Sequence, residues 1–393
     1  MIYVGIDIAK DGHVAAAVDE RGRAVGRALP FPNTAAGFER LTAWLGRVAG
    51  GPEGAAAVGM EATGPYWMAC FAHLSAGGWP ACVVNPLQVR AVRGLRGRLG
   101  VKTDAVDAAL VAETMRVGSA GPSSLASDEV QSLRVLTRLR EEMAAQAAAV
   151  KQRALCLLDA YFPEYAALFS DVFGAASRAV LRECPTPGEV SRKRTSTLAR
   201  MLSGASRGRL GEGRAAQLKA AAARSVGMQE GAAAASLAIG TLVREVEYLR
   251  ARTDELDAEI AGLLEGVEPL VLTVPGVSRV TGAQIVAEVG DFSRFRDARA
   301  LVKYAGLDPG SNQSGRFEAP SCHITKHGSP HLRRAFYLAA ESARRHDPRM
   351  REFYERKRAE GKPHRVAVTA CARKMCHYVF AVVRDQVPYD PAR

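Results

Sequence analysis

Ile2-Tyr3-Val4-Gly5-Ile6-Asp7-Ile8 opens the chain with an apolar run that carries one carboxylate, Asp7, near its far end. A run this short and this rich in β-branched residues predicts a buried strand. His13 to Val18 predicts a second strand, and the polar turn Asp19-Glu20-Arg21-Gly22 leads into a third through Ala24 to Leu29. A helix is expected from Ala35 to Val48, then a buried strand from Ala55 to Met60 ending at Glu61, and a further strand from Ala81 to Val84 ending at Asn85-Pro86.

A strand meander followed by helix, strand, helix and strand is the order of an RNase H-like mixed sheet, in which acids sit at strand ends. Asp7 and Glu61 occupy such ends. Asp104 and Asp107 stand three apart in Lys102-Thr103-Asp104-Ala105-Val106-Asp107-Ala108, so on a helix they share a face, and Thr103 is placed to cap it. Carboxylates brought together repel and raise one another's proton affinity, so the cluster calls for cations. Two Mg²⁺ ions would neutralise it, activate a nucleophile and stabilise a leaving oxygen.

The surrounding charge points the same way. Lys and Arg number 53 against 41 Asp and Glu, a formal net charge of +12, and the pI is about 9.6; this is the electrostatic footprint of a nucleic-acid binder. Between Glu61 and Asp104 no further acid occurs, while Arg90, Arg93, Arg96, Arg98 and Lys102 accumulate, a basic face suited to a phosphate backbone. A chain of 393 residues that is 48% hydrophobic has material for two or three cores, which excludes disorder as the default. The seven cysteines are scattered without C-x-x-C spacing, which suits free thiols in a reducing compartment. Met1 to Ile8 has no basic leader, and no apolar stretch approaches the roughly 20 residues of a membrane span, so a cytoplasmic protein is expected.

Past residue 127 the pattern turns helical. Leu136, Met143, Val150 and Leu157 recur at sevens, and Ile239, Leu242, Val246, Leu249, Thr253, Leu256, Ile260 and Leu263 alternate by three and four, a coiled-coil seam that serves either an intramolecular hairpin or a dimer zipper. Residues 170 to 235, rich in Ala, Arg, Ser and Gly with a basic Arg192-Lys193-Arg194, show no pattern of their own. Val274-Pro275-Gly276-Val277 before an apolar helix from Thr281 to Val289 suggests a helix-hairpin-helix start, whose turn amides can hold a phosphate. Cys322, His323, His327 and His331 fall near one another, but without a second cysteine pair they make a poor zinc site; Lys326, Arg333 and Arg334 are better read as nucleic-acid contacts.

Gly5-Ile6-Asp7, Glu61-Ala62-Thr63-Gly64-Pro65-Tyr66, Asn85-Pro86 and Lys102 to Ala108 together resemble the RuvC-like DEDD domain of the Piv-type transposases and DNA invertases, the insertion-sequence family numbered one hundred and ten. Glu288-Val289-Gly290-Asp291, Tyr304 to Pro309, Ser314-Gly315, Ile324 to Gly328 and Leu332-Arg333-Arg334 resemble its carboxy-terminal domain. The resemblance implies a recombinase that excises and inserts a mobile DNA element, guided by a structured RNA that pairs with donor and target DNA. It implies that Asp7, Glu61, Asp104 and Asp107 bind Mg²⁺ and that a serine attacks the scissile phosphate; within Gly310-Ser311-Asn312-Gln313-Ser314-Gly315 that serine is Ser314, with Ser311 second. The expected parts are a catalytic domain at 1–126, a helical coiled-coil region with a basic insert at 127–268 and a mostly helical transposase domain at 269–393. The expected assembly is a homo-oligomer, dimer or tetramer, in which acids and serine meet either within one subunit or between two. A site-specific invertase, a hydrolytic RuvC-like nuclease and a non-catalytic nucleic-acid binder are the alternatives.

Overall fold

The computed structural model describes residues 1–61, 64–95, 103–118, 126–310, 313–314, 317–318 and 323–391. Arg96, Lys102, Ser311 and Cys322 from the sequence reading lie outside the described residues. The chain divides into two compact units, Met1–Leu125 and Ala126–Arg393.

The first unit is built on a five-stranded mixed sheet. Strands β1 (Ile2–Ile8), β2 (Gly12–Val18) and β3 (Leu29–Pro32) precede helix α1 (Ala35–Ala49); β4 (Ala55–Glu61), α2 (Trp67–Ala76), β5 (Ala81–Val84), α3 (Pro86–Leu95) and α4 (Asp104–Arg116) follow. The strand order is β3-β2-β1-β4-β5, with β2 antiparallel to both its neighbours and β1, β4 and β5 mutually parallel, which is the RNase H-like arrangement. The third strand begins at Leu29 rather than Ala24, because Gly26 turns through positive φ and Pro30 and Pro32 are tolerated only at the sheet edge that β3 occupies.

Strand alternation divides the side chains between two cores. Val4, Ile6, Val58 and Met60 face α1 and α2 with Leu41, Leu45, Phe71 and Leu74. Tyr3 and Ala57 face α3 and α4 with Val89, Val92, Leu110, Val111 and Met115. On this second face Gly5 and Gly59 stand opposite each other in the β1–β4 register. A Cβ at Gly5 would lie 2.0 Å from the Ala108 carbonyl oxygen and 2.3 Å from the Ala112 nitrogen, and one at Gly59 would lie 2.2 Å from the Met115 sulfur. The backbone of α4 therefore rests directly on a two-glycine floor.

The second unit is almost wholly helical. Helices α5 (Asp128–Tyr161), α6 (Ala175–Glu183), α7 (Pro187–Arg192), α8 (Thr195–Ser206), α9 (Glu212–Ala223), α10 (Ala232–Val267), α11 (Arg279–Val289) and α12 (Ala298–Tyr304) lead to a small hairpin, β6 (Gln313–Ser314) with β7 (Phe317–Glu318), and then α13 (Pro330–His346), α14 (Pro348–Ala359) and α15 (His364–Asp385). The long seam resolves as an intramolecular hairpin: Leu158 near the end of α5 shares a core with Ile239 and Val243 near the start of α10, and Leu133 near the start of α5 shares one with Ile260 and Leu264 near the end of α10. The antiparallel pair is tied midway by a bidentate Arg140–Asp257 bridge at 2.8 and 3.1 Å. The stretch without a readable pattern forms α6 to α9, four short helices with their own core of Val180, Leu181, Leu198, Leu202 and Leu218 against the α5–α10 end.

Helix α11 lies at the centre of the remaining bundle, buried from Thr281 to Val289. The Pro-Gly turn before it follows a 3-10 turn at Pro269–Thr273 and packs on α13: a Cβ at Gly276, whose φ is 89°, would lie 2.5 Å from both the Ala339 oxygen and the Ala343 nitrogen. Helix α15 is long and apolar enough to cross a membrane, contrary to the reading that no stretch approaches that length. Its Val368, Cys371, Met375, Cys376 and Val379 are instead fully buried in this bundle.

The glycine floor predicts a sharp local sensitivity. Gly5→Ala should lower the stability of the first unit by about 2–3 kcal/mol in urea unfolding, as overpacking against rigid backbone does. Gly46→Ala, on α1 with nothing within 4 Å of the added methyl, should be neutral or stabilising by up to about 1 kcal/mol. Equal effects of the two substitutions would remove the floor's role.

Candidate active site

The β1–β4 register ends at the pair Ile6–Met60, so Asp7 and Glu61 are the next residues on two adjacent parallel strands, whose backbones run about 4.8 Å apart. Both follow their glycines by two positions and share the face that α4 covers. Helix α4 runs antiparallel to β1: its last residue, Arg116, donates to the Glu20 oxygen at 3.2 Å, beside the end of the sheet where Tyr3 pairs with Val18. Its first turn therefore lies at the opposite end, with Asp7 and Glu61. That turn holds Asp104 and Asp107 and is capped by Thr103, whose hydroxyl accepts from the Val106 amide at 3.3 Å.

All four acids thus come to the carboxyl end of the parallel strands. Asp107 is largely covered and paired with Arg93 of α3 at 2.5 Å, each side chain 18% exposed. Arg90, one turn earlier on α3, is exposed. The donors are all carboxylate oxygen, the chemistry a hard divalent cation takes. Among the described residues no group of three or more His, Cys, Asp or Glu is gathered tightly enough to hold a metal ion. Filling such a site requires the carboxylates to draw closer together and Asp107 to exchange the Arg93 guanidinium for the ion.

Ser314 lies in the second unit, on the β6–β7 hairpin, where its backbone pairs with Phe317. The stem below is extended: Pro309 bridges Ile324, the Gly310 amide donates to the His323 oxygen at 2.8 Å, and the Thr325 amide donates to the Asp308 oxygen at 2.9 Å. The Thr325 hydroxyl also reaches the Asp308 carboxylate at 2.6 Å. At the foot of this stem the chain is locked by close backbone approach. Gly328 sits where a Cβ would meet the Tyr304 oxygen at 2.0 Å, Arg333 donates to the Ala305 oxygen at 3.2 Å, and Lys326, exposed, holds the left-handed region at φ 57°.

Residues that sequence reasoning did not single out for a role secure that foot. Glu288, 3% exposed on α11, receives Arg138 Nε at 2.7 Å and Nη2 at 3.1 Å, and the Ser329 hydroxyl at 2.9 Å. Ser329 in turn caps α13 through the Leu332 amide at 3.1 Å. One helical turn away, Glu141 of α5 accepts from Gln284 at 2.6 Å, pairs with His331 Nδ1 at 2.8 Å and lies 3.4 Å from Arg334 Nε. Burial alone would push the Glu288 carboxyl up, but the hydrogen bonds and charge of Arg138, with Ser329, hold it below the ordinary glutamate value. The signal in the sequence was a carboxylate inside the apolar run of α11, matched by Arg134, Arg138 and Glu141 at helical spacing on α5.

A family model described as a transposase, DEDD_Tnp_IS110, matches residues 4–163, and a second, described as "Transposase IS116/IS110/IS902 family", matches residues 268–355. The chain is 27% identical to the insertion element IS110 43.6 kDa protein of Streptomyces coelicolor over 99% of this chain and 95% of that one. It is 28% identical to the insertion element IS116 44.8 kDa protein of Streptomyces clavuligerus, over 100% of this chain and 96% of that one. Among solved structures, the Thermus thermophilus RuvC complex with a Holliday junction substrate matches 31% of this chain and 99% of its own, at 19% identity and a TM-score of 0.24.

Because the Glu288 carboxyl titrates lower in the folded state than in the unfolded chain, its contribution to stability is present above the unfolded value and is lost as pH falls through the folded one. Unfolding followed between pH 7 and pH 3 should show this loss in the wild-type protein and a shallower one in Glu288→Gln. Arg138→Ala, which takes a half-exposed cation from a buried carboxylate, should cost about 1–3 kcal/mol at pH 7. A cost within 0.5 kcal/mol would mean that the pair does not secure the stem.

Proposed function

The chain belongs to the IS110 family of transposases, enzymes that cleave and rejoin the DNA of an insertion element, and on that premise we propose that it works through a phosphoserine–DNA intermediate formed by Ser314 and directed by an RNA the element encodes. The observation that carries this reading is the placement of Asp7 and Glu61 on neighbouring parallel strand ends beneath the helix turn that bears Asp104 and Asp107. In this reading segment 1–126 holds metal, segment 127–268 forms the helical hairpin, and segment 269–393 delivers the serine.

Asp7, Glu61, Asp104 and Asp107 would hold divalent metal, two Mg²⁺ ions being the natural choice for an all-oxygen donor set. Bound there, the metal supplies charge stabilisation to the phosphoryl oxygens. The protein's own steps are then simple. Arg90, Arg93, Arg96 and Lys102 on one unit, and Lys326, Arg333 and Arg334 on the other, hold phosphates flanking the scissile bond. The Ser314 oxygen forms a bond to phosphorus and gives up its proton to solvent. The bond from phosphorus to the departing strand breaks, and the departing oxygen takes up a proton. Rejoining is the same exchange in reverse with a hydroxyl of another strand, so the phosphodiester energy is kept rather than lost to water. Acids and serine lie on separate compact units, which supports their meeting between protomers of a dimer or tetramer.

Incubated with end-labelled donor DNA and Mg²⁺, the protein should form a denaturation-resistant protein–DNA adduct. Ser314→Ala should abolish the adduct, and Asp7→Asn should reduce it on the order of 10³-fold, several kcal/mol of transition-state stabilisation. Cleaved strands with no adduct would identify a hydrolase instead. RNA sequenced from the purified protein should be one discrete element-encoded species; a broad mixture of cellular RNA would sink the guide. Mixing Asp7→Ala with Ser314→Ala chains should restore activity, and no rescue would place the whole site within one protomer.

A further inference from the structure

A cavity of about 220 Å³ opens between α14 and α15, lined by Arg349, Glu352, Phe353, Arg356, Lys374 and Tyr378. Three of these side chains are cationic and one is acidic. Some cations of the same two helices are neutralised: Lys357 of α14 binds Glu360 at 2.8 Å and Arg384 of α15 binds Asp385 at 2.7 Å. Arg349, Arg356 and Lys374 make no ion pair with a carboxylate among the described residues, and neither do Arg351, Arg358 and Arg365, from which the first three are set apart by lining the cavity.

Two of the three are held by rings instead. Lys374 Nζ lies 4.9 Å from the Phe353 centroid and 5.6 Å from that of Tyr378, and the Arg356 guanidinium lies 5.2 Å from Phe353. A ring face positions a cation through its quadrupole without cancelling its charge, so the cation stays available to an incoming anion. The rings are themselves fixed, since Phe353 and Tyr378 pack against the bundle core. Cations fixed in place, not neutralised and gathered around a small cavity are what phosphate recognition requires.

We infer that this cavity is a phosphate cradle for a nucleic-acid strand, with Arg349, Arg356 and Lys374 closing on one or two adjacent phosphodiesters. Arg356, Lys374 and Tyr378 of its lining lie beyond the matched segment that ends at residue 355, and Arg349, Glu352 and Phe353 lie within it. The inference rests on reading the chain as a nucleic-acid-processing enzyme and deepens it by placing a backbone anchor at the carboxy-terminal helices. Glu352 on the rim would be pushed away from the strand or hold a counterion.

The test is binding, measured by fluorescence anisotropy with labelled RNA, single-stranded DNA and duplex DNA across a salt series. The triple variant Arg349→Ala, Arg356→Ala, Lys374→Ala should weaken binding and reduce the slope of log affinity against log salt by about 0.7–1.8, one or two phosphate contacts at about 0.7–0.9 each. The matched control Arg351→Ala, Arg358→Ala, Arg365→Ala removes the same formal charge from exposed positions outside the cavity and should change the slope by less than about 0.4. A loss confined to RNA assigns the cradle to the guide, and one confined to DNA assigns it to the element or target; either supports it. An unchanged slope in the cavity variant, or an equal loss in the control, overturns it. Circular dichroism of both variants checks folding, and because adduct formation is not the readout, failure of the serine mechanism leaves this result interpretable.

Discussion

Helix α4 can lie against the sheet only because two adjacent strands present no side chain where it crosses. Gly5 and Gly59 sit side by side, and a single methyl on the first would fall within 2.0 Å of the helix backbone. That close approach sets both height and direction. With α4 pressed onto β1 and running against it, the Thr103-capped turn must sit at the end of the sheet where Asp7 and Glu61 emerge. Two acids come from strand ends and two from a helix start, and contact between backbones brings the pairs to one edge. The cost is electrostatic, and Arg93 meets part of it by pairing with Asp107.

The second unit solves a different problem with similar economy. A helix buried all round, such as α11, ordinarily excludes charge. Glu288 is kept ionised there by a bidentate guanidinium and a serine hydroxyl, and that same serine starts α13. One buried carboxylate thereby joins three helices at the foot of the hairpin that carries Ser314. Removing one partner of such a pair is costlier than never having it, so the network confers a defined geometry more than net stability.

Much of the first unit was legible from residue order, since short apolar runs ending in acids specify strands, and glycine and proline mark their limits. The third strand was placed too early because Ala24 and Val25 look as strand-like as Leu29, and only sheet-edge pairing distinguishes them. The stretch from 170 to 235 was opaque for a physical reason: helices of six to twelve residues rich in alanine carry little periodic contrast, and their core exists only once four of them meet the α5–α10 end. Helix α15 was overlooked as a long apolar segment. Its apolar face is as long as a membrane span, and burial among α11, α12 and α13 is what accounts for it.

Periodicity, charge and motif spacing by themselves determined the mixed sheet, the two long helices, the basic character and which carboxylates belong at strand and helix ends, because these follow from local backbone preference and from residue type. Only the tertiary structure decided that the long seam closes on itself, that two glycines form the floor under α4, that Arg93 lies on Asp107, and that a lone glutamate in an apolar helix has a cation waiting 150 residues upstream. Those are contacts between segments far apart in the chain, and nothing in either segment alone specifies the partner until packing brings them within a few ångströms.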